Sequence, residues 1–201
     1  MVKRSKWITG IVLFVLSIGV AIAFSHFTAY DSPLASELDY LQPSSPAAES
    51  PVQFPSSYKQ QFVHYATVDC PNSSIVRQMY IDRPSLDKVR VSQTVPRGTL
   101  IVMETHSARK GSGDRLIPTQ LNNVFVREKR QGWNVTNSGE WQSAWYSPSG
   151  ALVSDSQSSC IGCHVSVRDR DYLFTLPALQ AAAKTGQTQY QVTEFGTSVC
   201  R

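Results

Sequence analysis

The chain has 201 residues, 41% hydrophobic and 17% charged, with a formal charge of +4. That is room for one core-bearing domain with appendages, and the composition excludes a disordered or collagen-like chain. Four of the basic residues (Lys3, Arg4, Lys6 and Arg201) lie in the tails, so the small positive excess makes no patch suited to nucleic acid.

Lys3, Arg4 and Lys6 precede an almost purely apolar run from Trp7 to Phe24, and Ala21-Ile22-Ala23 has the small-x-small form of an export cleavage site. Residues 1–24 are therefore expected to act as a signal peptide. Uncut, residues 7–24 are just long enough to anchor the chain in a membrane. Either way the folded part is expected outside the cytoplasm, in a periplasm or on the outer face of the cytoplasmic membrane. Residues 25–57, rich in Ser, Pro, Ala and Glu, read as a flexible linker.

Residues 58–178 carry the domain, and 179–201 form a C-terminal tail. Tyr58 to Tyr65 suits one or two helical turns. Ile75 to Ile81 is a strand ended by Asp82-Arg83-Pro84, and Ser85 to Val91 suits a short helix. Pro96-Arg97-Gly98 is a turn, and Thr99 to Thr105 is rich in β-formers. A loop at Lys110 to Asp114 leads to a strand over Leu121 to Lys129, with Val124 and Val126 on one face and Phe125 and Arg127 on the other. Trp141 to Tyr146 is a further strand, and Pro148-Ser149-Gly150 turns the chain. Pro177 to Lys184 suits a helix, and the end of the chain leans weakly to β. The expected fold class is β-dominated α+β, an antiparallel sheet with a few short helices.

The chemistry concentrates at Cys160-Ile161-Gly162-Cys163-His164. Two thiols three positions apart can add to the two vinyl groups of one porphyrin, and the histidine that follows is then held under the iron. This predicts one covalent haem c per chain, with Cys160 and Cys163 binding the ring and His164 the metal. Three other uses of a Cys-x-x-Cys run fit less well. A thioredoxin-like site needs a βαβ unit. A zinc site needs two more ligands at short spacing. A two-residue disulfide is strained and leaves His164 unexplained. Cys70 and Cys200 remain, either bridged so as to tie the tail to the domain or left as two free thiols. No methionine follows Cys163 to act as a downstream sixth ligand; the only ones are Met1, Met79 and Met103.

Several pieces together resemble the cytochrome P-460 and cytochrome c′-β family. They are Val76 to Asp82, Val95-Pro96-Arg97-Gly98-Thr99 with Leu100 to Val102, Val126 to Lys129, Gly139-Glu140-Trp141, and the haem motif followed by Asp171-Tyr172-Leu173-Phe174-Thr175. The resemblance implies an antiparallel haem domain, often a homodimer, with His164 proximal and the far side of the iron open or loosely filled. Members oxidise hydroxylamine, with a lysine cross-linked to the porphyrin, or bind small gases such as nitric oxide. Met103 stands where that lysine is expected, and a thioether cannot form the amine cross-link. In the enzymatic members a carboxylate shortly before the motif takes protons from the substrate. Asp155 is the one acid in that window, and its other reading is an exposed loop residue.

Met103 has three readings: core filler, haem-edge contact or sixth ligand. Glu104 and His106 share the opposite face of the strand, as pocket lining or as structural groups. Two functions follow. One is an exported monohaem cytochrome binding or converting a small nitrogenous ligand at an open iron. The other is an electron-transfer cytochrome in which Met103 or His106 fills the sixth position and the partner is a redox protein.

Overall fold

A computed structural model describes residues 50–193, apart from 114 and 134, together with residue 200. The export segment and the linker up to residue 49 lie outside the described residues. In chain order the elements are α1 (Tyr58–Gln61), β1 (Phe62–Cys70), β2 (Ile75–Asp82), α2 (Arg83–Ser92), β3 (Leu100–Lys110), β4 (Leu116–Lys129), β5 (Trp141–Tyr146), β6 (Leu152–Ser154), α3 (Gln157–His164), α4 (Leu176–Thr185) and β7 (Gln189–Val192). The strands form one seven-stranded sheet in the order β6-β5-β4-β3-β2-β1-β7. Every pairing is antiparallel except β1 with β7. The fold is the β-dominated α+β class expected.

The differences from expectation lie at element ends. The helix at Tyr58 stops after one turn, and Phe62 to Tyr65 join β1, where β-branched and aromatic side chains pair with β2. β3 and β4 run further toward their connecting loop than periodicity suggests. The added part of β4 holds Pro118, Thr119 and Gln120 on an exposed stretch, so it carries no hydrophobic alternation. β6, at three residues, is too short to show in a sequence.

The two faces of the sheet are covered differently. On one, Met79, Ile81, Ile101 and Trp141 pack with Val89 of α2 and Ala178, Leu179 and Ala182 of α4. The alanine-rich face of α4 allows close approach to β1. The Asp82 carboxylate accepts the Ser85 N–H at 2.9 Å, capping α2, and the Leu100 N–H at 2.9 Å, fixing the start of β3. On the other face, Val102, Val124, Val126, Ala144 and Tyr146 meet Val52, Phe54 and Tyr58. Residues 50–57, assigned to the linker by composition, thus pack on the sheet. Val52 is fully buried, a contribution of about 2 kcal/mol. In the same way α4 and β7 place most of the expected tail inside the domain.

Cys70 and Cys200 are joined in a disulfide, with Cα atoms 5.5 Å apart across 130 residues of sequence. Of the two readings open in the sequence, the bridge is the one observed.

Candidate functional site

Strand register decides which side chains meet on the helix-covered face. Ile81, Ile101, Arg127 and Ser143 form one row across β2 to β5, and Met79, Met103, Phe125 and Trp145 form the next. Between these rows and α3 lies a cavity of about 240 Å³. Its wall includes Cys160, Cys163 and His164 on one side and Met79, Met103 and Phe125 on the other. Cys160 and Cys163 are free thiols. The structure therefore brings the motif and Met103 to one cavity. Asp155 is exposed in the loop between β6 and α3 and does not line that cavity.

His164 is held from three directions. Its ring lies 5.0 Å from that of Phe174. Its Nδ1 is 2.7 Å from the Tyr172 carbonyl oxygen and 2.8 Å from Arg127 Nη1. Nδ1 cannot donate to the carbonyl and accept from the guanidinium at once. Arg127 Nη1 also donates to the Tyr172 carbonyl at 2.8 Å, so one oxygen with two lone pairs can take both N–H groups. That arrangement leaves Nε2 with a free lone pair. Burial, reinforced by the Arg127 charge, pushes the His164 pKa down to about 3. The imidazole is thus neutral, the form that binds a metal.

The Tyr172 carbonyl is itself built from a distance. Asp171 and Tyr172 both adopt left-handed backbone angles, with φ of 51° and 58°. Such angles persist in non-glycine residues where the surroundings impose them. Here Lys129 Nζ donates to the Asp171 carboxylate at 2.6 Å, and the buried Trp141 donates its indole N–H to the Asp171 carbonyl at 2.9 Å. Gly139, at φ +62°, lies so close that a Cβ there would collide with the Tyr172 ring. β4 and β5 therefore aim the carbonyl that orients His164.

Behind the cavity, on the opposite face of β3, Glu104 has a fully buried side chain. Lys59 donates to it at 2.8 Å, His106 at 2.9 Å and Tyr80 at 3.3 Å, and the Tyr58 hydroxyl donates as well. Burial alone would raise its pKa. The hydrogen bonds from His106, Lys59 and Tyr58 outweigh that and hold it at about 2. Of the two readings of Glu104 and His106, the hydrogen-bonded structural pair is the one seen.

A haem fits the residues present. Two free thiols and a neutral imidazole stand on one wall of a cavity whose other walls combine Met, Ile, Leu and Phe side chains with Arg77 and Arg127, cations suited to an anionic cofactor. The remaining cysteines are occupied in the disulfide. The family model for cytochrome P460 matches residues 55–175. The chain belongs to the cytochrome P460 family. No curated protein matches the chain. Membership of the cytochrome P460 family implies a haem cofactor, and the matched span takes in β1 to β6 and α3.

The sequence pointed to the motif and to Met103 but not to Met79, Arg127 or the Tyr172 carbonyl. The one available signal for Arg127 was its place beside Phe125 on the same strand face.

Proposed function

We propose that this cytochrome P460 family member is an exported, covalent monohaem c-type cytochrome that binds a small nitrogenous ligand, such as nitric oxide or hydroxylamine, at an open iron. The observation carrying this is the shared cavity, with Cys160, Cys163 and a neutral His164 on one wall and Met79, Met103 and Phe125, together with the cationic Arg77 and Arg127, on the sheet side. In this reading Cys160 and Cys163 would hold the porphyrin by adding their thiols to its vinyl groups, and His164 Nε2 would bind the iron. The bound haem supplies an iron able to coordinate a small diatomic or nitrogenous molecule. Met79, Met103 and Phe125 would give the bound group an apolar wall that keeps water away. The porphyrin cross-link implied by the hydroxylamine-oxidising members needs an amine at this wall. Among the described lining residues none is lysine, which favours ligand binding over that oxidation. The disulfide supports an oxidising compartment and hence export.

The second function, electron transfer with a filled sixth position, is favoured by one observation: Met103 shares the cavity with His164. Optical spectra of the haem-loaded protein separate the two. A high-spin ferrous spectrum that changes on adding nitric oxide is expected. A low-spin ferrous spectrum indifferent to nitric oxide, turning high-spin in Met103→Ala, would overturn the open-iron reading. Haem retained on the denatured chain checks the thioether bonds.

A further inference from the structure

Arg127 is a cation without an acid of its own. Among the described residues its Nε donates to Ser143 Oγ at 3.2 Å, its Nη1 to the Tyr172 carbonyl, and its guanidinium lies 4.9 Å from the centre of the Trp141 ring. None of these partners is a carboxylate. Drawing a guanidinium out of water is costly, and burial holds the Arg127 pKa down at about 10. Asp171, the nearest acid in sequence to the carbonyl that orients His164, is taken up by Lys129 instead. The fold thus places a positive charge next to the imidazole, while the nearby Asp171 carboxylate is hydrogen-bonded to Lys129 rather than to Arg127.

A carboxylate on the outer nitrogen of a metal-bound histidine makes the imidazole a stronger donor. A cation there does the reverse. It draws density from the shared carbonyl and, at 2.8 Å from Nδ1, from the ring itself. We propose that Arg127 is a positioning residue for the iron: its charge beside His164 weakens the iron–histidine bond and favours the ferrous state. This rests on His164 being the proximal ligand, as argued above. A weakly donating histidine also suits a site meant to take a ligand on the opposite side.

The test uses the full-length, haem-loaded protein and two readouts besides ligand binding: the midpoint potential and the iron–histidine stretching frequency of the ferrous form. In Arg127→Gln the ferrous-to-ferric ratio at a fixed applied potential should fall about tenfold, equivalent to about 59 mV for one electron. The stretching frequency should rise. Arg127→Lys, which keeps the charge, should restore most of the potential. Unchanged potential and frequency in Arg127→Gln would overturn the proposal. If that variant does not fold, Ser143→Ala releases the Arg127 Nε, and a smaller shift of the same sign is expected; no shift there overturns it equally. The two ideas fail separately. A native iron–histidine band surviving in His164→Ala sinks the ligand assignment, whereas an inert Arg127→Gln alone sinks only the role of Arg127.

Discussion

Glu104 and Arg127 are charged side chains on neighbouring strands of one sheet, pointing to opposite faces, and the protein handles them in opposite ways. Glu104 is fully buried and compensated by a lysine, a histidine and two tyrosines. Arg127 lines a cavity and meets a carbonyl, a hydroxyl, an aromatic ring and the neutral His164. A charge matched on every side is part of the scaffold. A charge with no carboxylate hydrogen-bonded to it among the described residues, beside a neutral imidazole, acts on whatever that imidazole holds. Back-face changes should therefore move stability and leave the haem spectrum alone, and cavity-face changes should move the spectrum.

The largest effect is expected from Glu104→Ala, which strands Tyr58 and His106 without their acceptor. Chemical denaturation should show a loss of about 3–5 kcal/mol, with the ferrous spectrum unchanged. A shifted spectrum would erase the distinction between the faces. The same carboxylate sets an acid limb. Its folded pKa of about 2 lies below the ordinary 4.5, so its contribution is present above 4.5 and is lost as pH falls from 4.5 through 2. Glu104→Gln should lack that limb in a pH series of melting temperatures.

An intermediate effect is expected at Gly139, which belongs to the cavity side through Tyr172. Gly139→Ala sets a Cβ at φ +62° against the Tyr172 ring. It should cost about 1–3 kcal/mol by denaturation and also shift the iron–histidine band, since the Tyr172 carbonyl moves. Lost stability with an unmoved band would mean that the carbonyl is not what orients His164. The smallest effect is Lys59→Met. Lys59 is 53% exposed, so solvent screens its pairing, and a change within about 1 kcal/mol is expected by the same melts.

Much of this contrast was half-visible beforehand. Alternation along β4 grouped Phe125 with Arg127 and set Val124 and Val126 against them, as observed. Alternation along β3 likewise set Met103 against Glu104 and His106. What it left open was which face met the cavity, because both faces of this sheet are covered and both carry apolar residues. The segment at 50–57 looked like linker because a single buried valine and one phenylalanine among prolines and serines make no periodic pattern.

The sequence by itself determined the Cys-x-x-Cys-His pattern, because it is purely local: two thiols three residues apart and the next side chain. It also determined most strands and both longer flanking helices, through turn residues, caps and alternation that act within a few positions. The tertiary structure alone decided the disulfide, the compensated state of Glu104 and the surroundings of His164. Those depend on contacts between residues far apart in the chain, such as Arg127 with His164 at a separation of 37 and with Tyr172 at 45. Such pairs have no spacing rule. They exist because strand register and the packing of α3 against β4 and β5 bring them together.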